Sequence, residues 1–113
     1  MSERGGPNSS EAMEVVASLS PLHPGEILRE EFLVPLGLTA GRVAKACHIP
    51  RTRIERVVRE ETGITPDTAV RLARYLGTSI EFWINLQARY DAERAKLDFA
   101  TTAAAITPLE RAA

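Results

Sequence analysis

Residues 38–60, LTAGRVAKACHIPRTRIERVVRE, leave this chain few ways to fold. Val43, Ala44 and Cys47 recur at helical spacing, and Ile54, Val57 and Val58 repeat that pattern after a break at His48-Ile49-Pro50. Two short amphipathic helices therefore meet at a tight turn, the helix-turn-helix arrangement. Thr39 is placed to cap the first helix through its hydroxyl, and Pro50, with fixed φ and no N–H, suits the start of the second. Ala44 is small enough to let the two helices approach closely.

Charge indicates what this stretch touches. Between Thr39 and Glu60 stand six basic residues, Arg42, Lys45, Arg51, Arg53, Arg56 and Arg59, against Glu55 and Glu60, a local +4 in a chain whose net charge is −1. A mildly acidic protein that concentrates positive charge on one motif carries the electrostatic footprint of nucleic-acid binding. Arg51, Thr52 and Arg53 occupy the first turn of the second helix, the part that meets base edges when such a helix enters the major groove. The competing reading is an ordinary solvated helix face.

Composition excludes several classes. With 113 residues, 44% hydrophobic and 26% charged, there is material for one small domain with loose ends. The single cysteine, Cys47, rules out an intrachain disulfide and a Cys-rich metal site. No apolar run approaches the ~20 residues that span a bilayer. The N-terminus lacks a basic region followed by an apolar core, so a cytoplasmic location is expected. His23 and His48 form no i,i+4 pair with each other and are read as cap and turn residues, with no metal or cofactor. Cys47 is read as packing, Glu30-Glu31 as surface charge, and no catalytic residue is assigned.

Along the chain, residues 1–22 hold Gly5-Gly6-Pro7-Asn8-Ser9-Ser10 and little that builds a core, so a flexible segment is expected, with residues 11–19 suited to at most a helical turn or two. Order begins at His23-Pro24-Gly25-Glu26, with His23 as N-cap, Pro24 at the first helical position and Glu26 favouring the N-terminus. This helix turns Ile27, Leu28, Phe32 and Leu33 to the core, and Pro35 and Gly37 are expected to end it. After the motif, Glu60 to Ile64 connects to Thr65-Pro66-Asp67, a cap, a first-position proline and a first-turn acid. Ala69, Val70, Leu72, Ala73 and Leu76 supply the next buried stripe and Gly77 its stop. Thr78 and Glu81 have capping-box spacing before a last helix. That helix is apolar on two sides, with Ile80, Trp83 and Ile84 on one and Phe82, Leu86 and Tyr90 on the other. One stripe closes the core and leaves the other for a partner. The helix is expected to fade after Lys96, leaving residues 98–113 as a flexible tail.

His23-Pro24-Gly25-Glu26-Ile27-Leu28, with the following Arg29 to Leu38, resembles the opening signature of HigA-type antitoxins, a branch of the lambda-repressor-like (XRE-type) helix-turn-helix family. Gly63-Ile64-Thr65-Pro66-Asp67 and Ala73 to Gln87, with its Phe82-Trp83-Ile84-Asn85-Leu86-Gln87 run, resemble the family's second half. The resemblance covers roughly residues 23–94 and implies a dimeric DNA-binding protein that represses its own operon and neutralises a HigB-type, RelE-like mRNA interferase. Three departures stand out. His48 replaces a usual turn glycine, at some backbone cost. Pro50 replaces a Ser or Thr cap. Glu60-Glu61-Thr62 replaces an Asn-Gly turn with a basic residue, and these acids would weaken contact with phosphates.

The sequence thus predicts an all-α, five-helix lambda-repressor-like domain with a helix-turn-helix over residues 23–97, flanked by 1–22 and 98–113. The expected function is that of an antitoxin that binds double-stranded operator DNA as a homodimer and has a cognate HigB-like toxin as partner, with no enzymatic activity, membrane or small-molecule substrate. Arg51, Thr52, Arg53, Glu55 and Arg56 are candidates for base contact, and Thr39, Arg42, Lys45 and Arg59 for phosphate. Phe82, Trp83, Leu86 and Tyr90 are candidates for the dimer interface. Two alternatives stay open: a stand-alone helix-turn-helix repressor without a toxin, and a protein-interaction module with weak DNA binding.

Overall fold

A computed structural model describes residues 21–110, and every described element is helical. The expectations for residues 1–20 and for the last three residues of the tail lie outside the described residues. Helix α1 (residues 24–36) starts as an α-helix over Pro24–Ile27, widens to a π-helix over Leu28–Leu33 and closes as α-helix over Val34–Leu36. It is followed by α2 (Ala40–Cys47), α3 (Arg51–Val58), α4 (Pro66–Leu76) and α5 (Ile80–Ala103).

Most helix ends follow the sequence. His23 Nδ1 accepts the Gly25 N–H at 2.8 Å and Pro24 opens α1. Thr39 Oγ1 accepts from Arg42 N–H at 3.1 Å, and Thr65 Oγ1 from Thr68 N–H at 3.3 Å. Gly37 and Gly77 end α1 and α4 in the left-handed conformation, with φ 64° and 75°.

Three helix ends differ from expectation. Pro35 does not end α1. It has no N–H to donate and its ring would strike the carbonyl four residues back. The preceding turn is instead wound loosely, with Val34 N–H bonded to Arg29 O, and the helix continues to Leu36. Pro50, by contrast, is the N-cap of α3 (φ −62°, ψ 142°) and contributes no side-chain cap, in keeping with its replacing a Ser or Thr cap. Ser79, not Thr78, caps α5, its Oγ accepting from Phe82 N–H at 3.0 Å. Finally, α5 does not fade after Lys96 but runs 24 residues to Ala103. No Gly or Pro interrupts it, its second half is rich in Ala, Arg, Lys and Glu, and an established helix elongates without tertiary packing.

Leu28, Val43, Ile54, Leu72 and Trp83 are fully buried and tie all five helices to one core. Trp83 is 0% exposed, donates its indole N–H to Thr78 Oγ1 at 2.7 Å and stacks near Phe32 and Phe82, so it cannot meet a second copy and leaves the list of interface candidates. Burying a side chain of this size contributes roughly 3 kcal/mol. Val70 is 49% exposed, because it lies one residue off the Ala69-Leu72-Ala73-Leu76 stripe that faces inward. On α5 the division between core and free surface also differs from expectation. Ile80 is 40% exposed, whereas Leu86 and Ile84 pack against the core.

Candidate nucleic-acid interface

The helix-turn-helix is built by short-range chemistry and then braced from outside. Between α2 and α3, His48 takes the left-handed conformation (φ 59°, ψ 45°), the cost anticipated from its replacing glycine. Its N–H bonds to Lys45 O and that of Ile49 to Ala44 O, which closes the last turn of α2. Val43, Ala44 and Cys47 of α2 and Ile54 and Val57 of α3 face the core. Cys47 is packing, as expected: its thiol lies 3.6 Å from Arg71 O, and burial pushes its pKa up, away from the reactive thiolate.

With the apolar faces turned inward, the basic residues are left outside. Arg42 and Lys45 on α2, and Arg51, Thr52 and Arg56 on α3, are exposed, as is Arg59 at the end of α3. Arg51 is the freest on α3, its side chain 70% exposed with an Nε–Glu55 Oε2 contact of 3.2 Å. Glu55 is half-buried beneath it and serves to steady this arginine. Arg56 faces Glu61 at 3.8 Å. Thr39 spends a lone pair on its cap and keeps its hydroxyl hydrogen free to donate. A cleft of about 570 Å³ runs between α3 and the turn before α4, lined by Thr52, Arg53, Arg56, Thr62 and Thr65 among others.

Arg53 is placed differently from the other bases. Its guanidinium turns to the N-terminus of α4 and bonds Asp67 Oδ2. The same oxygen accepts from Arg71 Nε at 3.0 Å, while Arg71 Nη1 donates to Cys47 O at 2.8 Å, satisfying the C-terminal carbonyl of α2. The two guanidinium groups hold the Asp67 carboxyl below the ordinary carboxylate range. At the other end of α3, Arg29 Nη1 donates to Val58 O at 2.6 Å and Nη2 contacts Glu60 Oε2 at 3.2 Å. Glu60, in left-handed conformation (φ 63°), is thus paired with a cation of α1. The acids expected to repel phosphates, Glu60 and Glu61, are both partnered.

Several residues that shape this surface were not singled out for it from the sequence. Sequence marks Asp67 only as a first-turn acid and gives Arg29 and Arg71 no role at this surface. Asp67 and Arg71 have i,i+4 spacing, but Asp67 meets Arg53 across 14 residues, Arg29 meets Val58 across 29 and Arg71 meets Cys47 across 24, and no local pattern reports those pairings. Gly41 belongs with them: a Cβ there would come within 3.1 Å of Arg51 Cδ, so the glycine leaves room for the arginine stem. Gln87 is another, because its Oε1 accepts the Ile64 N–H at 2.6 Å and pins the loop after α3 to α5. Among the described residues no cluster of His, Cys, Asp and Glu could hold a metal ion, and no helix is long and apolar enough to cross a membrane.

A helix-turn-helix family model matches residues 28–83. Virulence-associated protein I of Dichelobacter nodosus is 53% identical over 77 residues, spanning 68% of this chain and 71% of that protein. Antitoxin HigA-1 of Vibrio cholerae is 35% identical over 71 residues, 63% of this chain and 67% of that one. Among solved structures, the Pseudomonas aeruginosa antitoxin HigA with the higBA promoter superposes with a TM-score of 0.77 at 40% identity, covering 80% of this chain and 99% of that chain. Antitoxin GraA in complex with its operator gives 0.76 at 36% identity over 81% and 93%. With its core, its turn and its basic helices arranged as described, this chain belongs to the HigA-type antitoxin branch of the lambda-repressor-like helix-turn-helix family, which is not enzymatic.

Proposed function

We propose that this protein binds double-stranded operator DNA as a homodimer, represses its own operon and neutralises a HigB-type, RelE-like mRNA interferase. The observation that carries the reading is the face of α2 and α3, where Arg42, Lys45, Arg51, Thr52 and Arg56 are all exposed, on a domain that superposes on relatives solved with promoter or operator DNA. In the major groove the Arg51 guanidinium, steadied by Glu55, suits a guanine, donating to O6 and N7 together, with Arg53, Thr52 and Arg56 available to neighbouring bases. Thr39, Arg42, Lys45 and Arg59 then meet phosphates and set the register. In a twofold dimer two such helices read half-sites about 34 Å apart. The pairing of Glu60 and Glu61 with Arg29 and Arg56 favours this reading over a module with a vestigial DNA surface.

The test is titration of the gene's own promoter and a scrambled duplex at several salt concentrations. Arg51→Ala is expected to cost roughly 1–3 kcal/mol on the promoter and little on the scrambled duplex. Lys45→Ala should weaken both alike and flatten the salt slope by about one. If Arg51→Ala and Arg53→Ala both bind the promoter like wild type, the DNA reading fails. The toxin half is tested by looking for a small toxin-like reading frame next to the gene and co-expressing the two. Growth rescue and co-purification separate an antitoxin from a stand-alone repressor.

A further inference from the structure

The Arg53–Asp67–Arg71 brace joins three helices at the rim of the basic face. Asp67 Oδ2 takes both guanidinium groups, and Arg71 reaches on to Cys47 O, so the carboxylate is anchored to the end of α2 as well as to α4. All three side chains are well exposed, at 41%, 55% and 37% for Arg53, Asp67 and Arg71, and exposed pairs of this kind add little to stability. Their placement matters for another reason. Arg53 has five N–H donors and spends one of them on Asp67, which leaves the others free while tying the guanidinium to the N-terminus of α4. An arginine without such a tether is free to reach a nearby phosphate, a contact blind to sequence.

We propose that Asp67 is a specificity-determining residue of this DNA surface, which acts by holding the Arg53 guanidinium in one orientation. The proposal rests on the DNA-binding reading above. Asp67 touches no base; it is a positioning residue, and its carboxylate also opposes indiscriminate attraction to phosphate. Loss of the carboxylate frees Arg53 for a phosphate, so affinity for any duplex rises while discrimination falls.

The experiment is a double-mutant cycle with Asp67→Asn, Arg53→Ala and the double variant, titrated against promoter and scrambled duplexes over a range of salt, with circular dichroism to confirm folding. Asp67→Asn is expected to bind scrambled DNA roughly threefold more tightly, to steepen the salt slope by about 0.9 and to lower the promoter-to-scrambled ratio roughly fivefold. In the Arg53→Ala background, Asp67→Asn should leave that ratio unchanged, because the side chain it restrains is gone. A carboxylate acting only as a negative charge near DNA, or only as a helix brace, gives the same change in both backgrounds, and that additive result overturns the proposal. A wild type that does not distinguish the two duplexes overturns the repressor reading itself, and this inference with it. Discrimination by wild type together with additivity in the cycle overturns the inference alone.

Discussion

His23 works in a single protonation state. It is 4% exposed, its Nδ1 accepts the Gly25 N–H, and its ring meets Tyr90 edge to face with centroids 4.7 Å apart. Burial lowers its pKa from the ordinary imidazole value, against the opposing pull of Glu60 and Asp91. A group with a depressed native pKa binds fewer protons in the folded state, so its contribution is fully present above the unfolded value of 6.5 and is lost as pH falls through 6.5 towards the folded value. Wild type should therefore lose about 1 kcal/mol, the worth of a helix cap, between pH 7 and pH 5 beyond the loss seen for His23→Asn. Asparagine keeps an acceptor at the cap but does not titrate. Thermal unfolding of the two proteins across that range checks it, and parallel curves would remove His23 from the pH response.

Elements formed by short-range rules were legible in the sequence, and the contacts that lock them together were not. Thr39, His48, Thr65 and Gly77 each act within a few residues of themselves, and the structure finds each in its expected place. The end of α5 was missed because amphipathic periodicity reports where packing stops, whereas Ala-rich helix persists beyond it. For the site, the chain showed which residues are basic and on which helices. It gave no sign that Arg53 is claimed by Asp67 or that Arg29 seals the end of α3. Gly25 is a further case. A Cβ there would stand 1.9 Å from Val57 O, so the start of α1 presses directly on the backbone at the end of α3. Backbone cannot swing aside as a side chain can, so Gly25→Ala should cost about 3 kcal/mol in urea denaturation. Arg29→Ala, which strips the Val58 carbonyl and Glu60 of their partner, should cost about 1–2 kcal/mol. If Gly25→Ala unfolds like wild type, the close approach of α1 and α3 is wrong.

At the scale of the whole molecule, α5 has more apolar surface than this domain uses. Leu86 packs against the core and Tyr90 against His23, yet Phe82 remains 37% exposed beside Phe32, and farther along Leu97 and Phe99 are 52% and 43% exposed. A homodimer through this helix, with Phe82, Leu86 and Tyr90 at the twofold, would cover such surface and set two recognition helices at a fixed separation. In a twofold interface each substitution acts twice. If the free part of Phe82 contributes on the order of 1 kcal/mol per copy, its loss weakens the dimer by about 2 kcal/mol, roughly thirtyfold, and an aspartate there adds the cost of burying charge. Phe82 is the better position to test, because Leu86→Asp would also injure the core. Sedimentation of Phe82→Asp should show a marked shift to monomer with helical content retained, while Val70→Ser, on the exposed face of α4, should sediment like wild type. Promoter affinity should fall with dimerisation, since a lone half-site contact keeps only part of the binding free energy. A folded Phe82→Asp that remains dimeric would place the twofold elsewhere on the molecule and require a different spacing between the recognition helices.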